Sequence, residues 1–255
     1  MAEIIIVGDA AGGGRIAAGR IARLVTGKPD AVLGLATGSS PLSTWDALRG
    51  LELSRVRGFA LDEYVGLPAG HPQSYRAVIT RDVVEPLGLT PSLVHVPGDD
   101  GGEVATAGPR YEAALKDAGG VDLQILGIGR TGHIGFNEPG SSLASLTRVK
   151  TLTEQTRRDN ARFFASPDEV PRHCITQGLG TILRARELVL LAWGEAKASA
   201  VAAAVEGPVT AAMPASVIQL HPEVTVIVDE AAASQLRFAD YYRMAWEHRP
   251  DWARD

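Results

Sequence analysis

The chain has 255 residues, of which 45% are hydrophobic and 22% charged, and its formal net charge is −5. This composition is typical of a globular protein, and the acidic balance argues against binding to nucleic acid or to an anionic membrane surface, because both need basic patches. The chain has a single cysteine, Cys174, and residues 1–8 lack the basic segment of a signal peptide, so we expect a cytoplasmic protein. Its apolar runs are also too short to span a membrane.

Short apolar runs alternate with amphipathic segments along the chain. The runs predicted as strands are Glu3–Val7, Ala31–Ala36, Gly58–Leu61, Ser92–Val96, Val121–Leu126, Leu188–Trp193 and Val224–Val228. The segments predicted as helices are Gly14–Val25, Leu42–Leu48, Ser74–Val84, Ala105–Ala118, Thr176–Leu183, Ala196–Val205 and Ala231–Met244. The alternation predicts an α/β fold, with a three-layer, Rossmann-like, mostly parallel sheet and helices on both faces. We find no linker-like segment and expect one domain over residues 1–255.

The triple glycine Gly12-Gly13-Gly14 follows the first predicted strand. Its spacing is not that of a dinucleotide-binding loop, so we interpret it as a flexible turn rather than a cofactor site.

Ligands of open α/β sheets bind beyond the carboxyl ends of the strands, so residues that follow predicted strands are candidates for a site. After the second strand, residues 37–42 are Thr-Gly-Ser-Ser-Pro-Leu. Free backbone N–H groups and the hydroxyls of Ser39 and Ser40 are suited to phosphate. The alternative is a tight turn in which serine caps the next helix. The segment lacks the Gly-Lys-Ser/Thr ending of a nucleotide-binding P-loop.

Two adjacent acids, Asp62 and Glu63, end the third predicted strand. Alternation along a strand points their side chains in opposite directions, so one can face the crevice while the other is used structurally. A carboxylate at the edge of an apolar site can act as a general base with a raised pKa. Without further context, two solvated acids that open a loop are the simpler interpretation.

The densest motif follows the fifth predicted strand, where residues 127–140 contain Gly-x-Gly-x-x-Gly and then His133 and Glu138. A dinucleotide fingerprint opens a helix, but Gly135, Pro139 and Gly140 interrupt any helix here. The glycines instead allow the backbone to approach a ligand closely and leave His133 and Glu138 projecting into one space. Histidine titrates near neutral pH and can move protons, and a nearby carboxylate tunes its charge. A metal site is disfavoured, because no Cys/His cluster or His-Glu-x-x-His accompanies the pair.

Together these motifs closely resemble the glucosamine-6-phosphate deaminases of the glucosamine/galactosamine-6-phosphate isomerase family. Order and spacing agree from about residue 31 to residue 230. The matching segments are 37–41, 61–67, 71–75, 132–139, 141–145, 160–164, 178–181, 203–207 and 219–222.

The resemblance implies an enzyme that converts glucosamine 6-phosphate and water to fructose 6-phosphate and ammonia. By the matching positions, Asp62 moves the proton between C2 and C1 of the opened sugar. His133 catalyses ring opening, and Glu138 holds and tunes its imidazole. These residue types suit the chemistry, because the sugar needs a base at one carbon and an acid/base group at the ring oxygen.

The same resemblance implies that phosphate lies against Gly38, Ser39 and Ser40, with positive charge from Arg162 and Lys197. Two cations suit a group with a charge near −2, and Arg can bind it with two parallel hydrogen bonds. The family uses no organic cofactor and no catalytic metal, and the resemblance implies neither here. The partner we expect is a small sugar phosphate.

The sequence also departs from the family pattern. Members often carry Asp or Asn at the position of Thr131, so a carboxylate–histidine relay through that position is absent. Ser141, Arg148 and Lys150 match part of a site that binds N-acetylglucosamine 6-phosphate in some members, but the tail after residue 241 diverges. Relatives occur as monomers and as hexamers, so the sequence does not decide between a monomer and a homo-oligomer. The motifs do not separate glucosamine from galactosamine 6-phosphate.

Two alternatives accompany the deaminase hypothesis. A 6-phosphogluconolactonase has the same fold and a similar Gly-x-Gly-x-x-Gly-His loop, but its sequence after the histidine differs from residues 134–139. A non-catalytic sugar-phosphate sensor is disfavoured, because Asp62, His133 and Glu138 are all present.

Overall fold

The computed structural model describes residues 3–250; Met1, Ala2 and residues 251–255, which the single-domain prediction also covers, lie outside the described residues. The strands are β1 (Glu3–Val7), β2 (Val32–Leu35), β3 (Arg57–Ala60), β4 (Asp62–Val65), β5 (Val94–His95), β6 (Leu123–Gly127), β7 (Arg148–Thr151), β8 (His173–Thr176), β9 (Glu187–Ala192) and β10 (Val224–Asp229). The α-helices are α1 (Ala10–Gly27), α2 (Leu42–Ala47), α3 (Tyr75–Ile79), α4 (Glu85–Leu87), α5 (Val104–Asp117), α6 (Glu154–Asn160), α7 (Leu179–Ile182), α8 (Ala198–Glu206) and α9 (Ala239–Glu247).

Seven strands form a parallel sheet in the order β1-β10-β9-β6-β2-β3-β5. Helices cover both of its faces, which confirms the predicted α/β class. The central strands are mostly apolar, and β2 and nearly all of β6, β9 and β10 are buried on both faces of the sheet. Strands covered by helices on both faces need such sequences, because neither face meets water.

The strand order reverses direction between β2 and β6, which are hydrogen-bonded neighbours in the sheet. From β2 the chain proceeds through β3 to β5 at one edge, and from β6 it proceeds through β9 to β10 on the other side. Connections that leave adjacent strands in opposite directions open a crevice at their carboxyl ends. Residues 37–41 and 128–138, the two glycine-containing motifs, follow these two strands.

A second, antiparallel sheet of three strands, in the order β4-β8-β7, lies beyond the carboxyl end of β3. The sequence pattern does not predict this sheet. Each strand has only four residues, and β7 alternates between half-buried and exposed positions, so none produces a long apolar run. A separate small cluster of Tyr64, Phe136, Leu152, Val170 and Cys174 packs around it.

The prediction that Gly12-Gly13-Gly14 is a flexible turn was wrong, because all three residues lie within α1. Asp9 caps this helix by accepting a hydrogen bond from Gly12 N at 2.7 Å. The glycines serve close packing: a Cβ on Gly14 would lie 2.5 Å from the backbone carbon of Ser43, and one on Gly13 would lie 2.4 Å from the Trp193 ring. Any side chain there would hold α1 away from its neighbours.

Three predicted helices differ from the structure. In Thr176–Leu183 the first residue ends β8, and only α7 is helical. In Ala231–Met244 the helix begins only at Ala239. Ser74–Val84 starts as α3 and then widens into a π-helical segment, Thr80–Val84. The predicted strand Ser92–Val96 shortens to β5, because Pro91–Leu93 forms a 3₁₀ turn.

No helix within residues 3–250 is both long enough and apolar enough to cross a membrane.

Candidate active site

Asp62 lies where the chain leaves the parallel sheet for the antiparallel one. It is the first residue of β4, pairs with Thr176 of β8, and is only 6% exposed. Burial, and secondarily the charge of Glu63, raise the pKa of the Asp62 carboxyl well above its usual range, while the backbone N–H of Phe136 acts in the opposite direction. The interpretation as two solvated acids was therefore wrong for Asp62.

Glu63 points away from Asp62 and binds backbone. Its carboxylate accepts hydrogen bonds from the N–H groups of Tyr64, Tyr75 and Arg76 at 2.7, 2.8 and 2.9 Å. Two of these donors lie at the start of α3, so Glu63 ties that helix to β4. As the strand alternation predicted, the two acids point in opposite directions. Glu63 has a structural role, and Asp62 lies near the loop after β6.

The loop after β6 carries His133 and Glu138 into contact. His133 Nδ1 lies 3.4 Å from Glu138 Oε2. The imidazole lies against the backbone of Gly129, where a Cβ would be 2.1 Å from the ring. The same loop meets Asp62, because a Cβ on Gly135 would be 3.5 Å from Asp62 Oδ2. The loop therefore brings the His–Glu pair and the buried aspartate into one region.

Glu138 is buried, at 3% exposure, within a ring of threonine hydroxyls. Oε2 accepts from Thr131 Oγ1 at 3.1 Å, and Oε1 accepts from Thr153 Oγ1 at 3.1 Å and from Thr156 Oγ1 at a shorter distance. Burial alone would raise the pKa of Glu138, but the hydrogen bond and charge of His133, with the hydroxyls, lower it to about 2. Glu138 is therefore ionised at neutral pH.

The loop after β2 adjoins the loop after β6. A Cβ on Gly127 would lie 3.7 Å from Ser40, and the backbone oxygen of Ser40 accepts from Trp193 Nε1 at 2.8 Å. Gly38 has a φ of 85°, a left-handed conformation that glycine adopts readily, and both Gly38 and Ser39 are exposed. No side-chain cap bond forms at α2, so the hydroxyls of Ser39 and Ser40 do not cap it.

Lys197 interacts electrostatically with two other cations, Arg162 and Arg130. Burial, and then the charges of Arg162 and Arg130, lower the pKa of Lys197, while Asp159 raises it. Arg130 Nη1 lies 3.7 Å from Asp159 Oδ1. Lys197 ends the turn that follows β9, and Arg162 lies in the 3₁₀ turn after α6. Mutual repulsion among these cations would be relieved by an anion such as phosphate.

The residues matched to an effector site lie beside the antiparallel sheet. Arg148 and Lys150 are on β7, and Ser141 is buried. Arg148 Nη1 donates to Asn137 Oδ1 at 2.6 Å.

Within residues 3–250, no group of three or more His, Cys, Asp or Glu side chains is arranged to hold a metal ion.

Four residues of this region did not emerge from the sequence as members of the site. Arg130 lies between Gly129 and Gly132 in the motif that contains His133, and nothing in the motif distinguishes it from a surface arginine. Thr153 is the N-cap of α6, accepting from Thr156 N, and the Thr-x-x-Thr spacing before a helix is a signal that could have found both hydroxyls. Tyr75 stacks on Phe136 with ring centroids 5.7 Å apart, and only its place in a family motif pointed to it.

Known proteins similar to this chain share its whole length. It is 60% identical to a glucosamine-6-phosphate deaminase of Bifidobacterium longum, with 99% of each chain covered. It is 57% identical to the deaminase of Streptomyces coelicolor and 55% identical to that of Mycolicibacterium smegmatis, with 98% of each chain covered in both cases.

Solved structures agree with the sequence relatives. A monomeric glucosamine-6-phosphate deaminase superposes with a TM-score of 0.88 at 40% identity, covering 91% of this chain and 99% of that one. The 6-phosphogluconolactonase of Trypanosoma brucei superposes with a TM-score of 0.72 at 18% identity, covering 92% and 99%, and at this identity the likeness shows the fold alone.

A family model described as glucosamine-6-phosphate isomerases/6-phosphogluconolactonase matches residues 11–227, which include every candidate residue of the crevice. The match, the near full-length relatives and the parallel sheet with its crevice agree. The chain belongs to the family of glucosamine-6-phosphate isomerases and 6-phosphogluconolactonases.

Proposed function

We propose that this chain is a glucosamine-6-phosphate deaminase, an enzyme that converts glucosamine 6-phosphate and water to fructose 6-phosphate and ammonia. The observation that carries the proposal is the buried Asp62 beside a loop that holds His133 against the ionised Glu138. Relatives with 55–60% identity over nearly the full length are deaminases by name. Solved structures named as 6-phosphogluconolactonases match this chain at 18–21% identity.

Asp62 is assigned as the base that moves a proton from C2 to C1. Transfer of the C2 proton to C1, together with transfer of a proton from the amino nitrogen to the aldehyde oxygen, gives an alcohol at C1 and a C=N bond at C2. Water then hydrolyses the C=N bond to a ketone and ammonia. A carboxylate whose pKa is raised by burial is a stronger base than one in water. The 6% exposure of Asp62 supports this role, because burial is the first cause of the raised pKa.

His133 is assigned to ring opening, which requires one proton to leave the C1 hydroxyl and another to reach the ring oxygen. Imidazole can do both, because it accepts and donates protons near neutral pH. Glu138 supports the histidine by holding Nδ1, at 3.4 Å directly, and by its negative charge. A similar division between imidazole and buried carboxylate operates in hydrolytic triads.

The substrate phosphate is assigned to Gly38, Ser39 and Ser40, with Arg162 and Lys197 as its counter-charges. Exposed backbone at Gly38 and Ser39 and a half-buried Lys197 support this placement. Anion binding by a few fixed donors is compatible with a net charge of −5, since it needs local rather than overall positive charge.

The product assay separates the candidate functions. Purified protein is incubated with glucosamine 6-phosphate, galactosamine 6-phosphate and 6-phosphogluconolactone in parallel, and ammonia, ketose phosphate and acid release are measured. We expect equal amounts of ammonia and fructose 6-phosphate from glucosamine 6-phosphate. Lactone hydrolysis without ammonia would favour the lactonase, and tight sugar-phosphate binding without turnover would favour the sensor.

A further inference from the structure

Thr131 stands where many family members carry an acid or an amide, and its hydroxyl lies between the two residues assigned to ring opening. Oγ1 is 2.9 Å from His133 Nδ1 and 3.1 Å from Glu138 Oε2. The direct distance between the same nitrogen and carboxylate oxygen is longer, at 3.4 Å. The shorter connection between imidazole and carboxylate therefore passes through the hydroxyl.

Counting protons determines the direction of both hydrogen bonds. A threonine hydroxyl has one proton to donate and lone pairs to accept with. Glu138 is ionised at neutral pH, so its Oε2 can only accept, and the hydroxyl must donate to it. With its single proton used there, Oγ1 can only accept from His133 Nδ1. That nitrogen must therefore carry a proton.

We propose that Thr131 is a positioning residue that relays a hydrogen bond from His133 Nδ1–H to the Glu138 carboxylate. The relay places the single proton of the neutral imidazole on Nδ1. The lone pair of Nε2 is then available to accept a proton from the sugar. This inference rests on the proposed function for its catalytic consequence, but the tautomer itself is a property of the unliganded protein.

The surrounding contacts hold the relay in place. Glu138 cannot turn towards another donor, because Thr153 and Thr156 occupy its second oxygen. The His133 ring lies against Gly129, and the backbone N–H of Gly129 donates to the His133 carbonyl at 2.9 Å. The neutral hydroxyl at position 131 orients the imidazole relative to the Glu138 carboxylate without adding a charge.

Three variants test the relay. Thr131→Val keeps the shape and loses the hydroxyl, Thr131→Ser keeps the hydroxyl, and Thr90→Val removes a hydroxyl that bonds only the Ser54 carbonyl. For Thr131→Val we expect kcat for glucosamine 6-phosphate to fall about 10- to 100-fold with KM changed less than about threefold, a part of the ~10²–10⁴-fold that acid–base catalysis contributes. Serine should restore kcat to within about threefold, and Thr90→Val should match the wild type.

Nitrogen NMR of the unliganded, ¹⁵N-labelled protein tests the tautomer directly. The chain has six histidines, and loss of a signal in His133→Gln assigns the one in question. We expect His133 at neutral pH to show a protonated Nδ1 in the wild type and in Thr131→Ser, with the Nδ1 resonance displaced in Thr131→Val.

Two results would overturn the inference: a wild-type His133 protonated on Nε2, or a Thr131→Val variant with wild-type kcat. If the wild type released no ammonia from glucosamine 6-phosphate, the proposed function would fail instead, and the NMR result would still decide the relay.

Discussion

The His133 imidazole lies directly against the Cα of Gly129, so close that a Cβ on residue 129 would be 2.1 Å from Cε1 and 2.2 Å from Nε2. Real Cβ atoms do not approach other atoms so closely, and the ring would have to rotate away. Gly129→Ala is therefore expected to keep the fold, since a side chain rather than backbone yields, and to lose activity by about 10²-fold or more. Turnover and the thermal midpoint Tm measure the two effects.

Gly127→Ala is the matched control for that substitution. A Cβ there meets only Ser40, at the ordinary contact distance of 3.7 Å. Both glycines belong to the same motif, yet only one adjoins the histidine. Equal activity in the two alanine variants would contradict the placement of His133.

Asp62→Asn should stabilise the protein. Because burial raises the pKa of Asp62, the folded state binds more protons than the unfolded state, and its stability falls as pH rises from the unfolded value of about 4 through the folded value. Asparagine carries no charge and so removes this cost of burying an ionised carboxylate. We expect a gain of about 0.5–2 kcal/mol at neutral pH, a few degrees in Tm, which is absent below about pH 4.

Burial raises the pKa of Glu63 as well, but its three backbone hydrogen bonds should make Glu63→Gln act in the opposite direction. A carboxylate accepts from three backbone N–H groups, whereas the amide of glutamine would turn an NH₂ towards one of them. A loss of about 1–3 kcal/mol follows from the unsatisfied donor. If both isosteric amides shifted Tm in the same direction, the different environments assigned to the two acids would be wrong.

The pH profile should respond to the same neighbour. The charge of Glu63 is the second cause, after burial, of the raised pKa of Asp62. Removing that charge lowers the pKa of Asp62, so the base becomes ionised at lower pH. In Glu63→Gln the acidic limb of kcat/KM for glucosamine 6-phosphate should move to lower pH. An unchanged or upward-shifted limb would show that another group governs it.

Lys197→Ala should weaken substrate binding more than turnover. We expect KM for glucosamine 6-phosphate to rise about 10- to 100-fold, as for loss of one hydrogen bond between charged groups. Inorganic phosphate should raise the Tm of the wild type and raise that of the variant less. Lys116→Ala, which changes an exposed lysine of α5, serves as the control. Equal phosphate-induced shifts in both variants would remove Lys197 from the phosphate site.

Much of the fold could be predicted because β2, β6, β9 and β10 are short, mostly apolar segments, which is typical of a parallel sheet covered on both faces. The antiparallel sheet was not readable, since strands of four residues leave too short a pattern. The glycines of α1 were misread for a related reason. Glycine is required at these positions because Ser43 and Trp193, which are distant in sequence, pack against the helix backbone there.

The candidate site divides in the same way. Asp62, His133 and Glu138 follow strands, so topology alone draws attention to them. Arg162 is exposed and resembles any surface charge, and only the family resemblance singled it out. The threonines that hold Glu138 became visible only when α6 and the loop after β6 were brought together.

The role of Asp62 as the base of a deaminase is decided by the rates at which the wild type and Asp62→Asn form ammonia and fructose 6-phosphate. We expect equimolar products from the wild type and a rate lower by about 10²–10⁴-fold in the variant, even though the variant is the more stable protein. Near wild-type turnover by a folded Asp62→Asn would show that Asp62 is not the base.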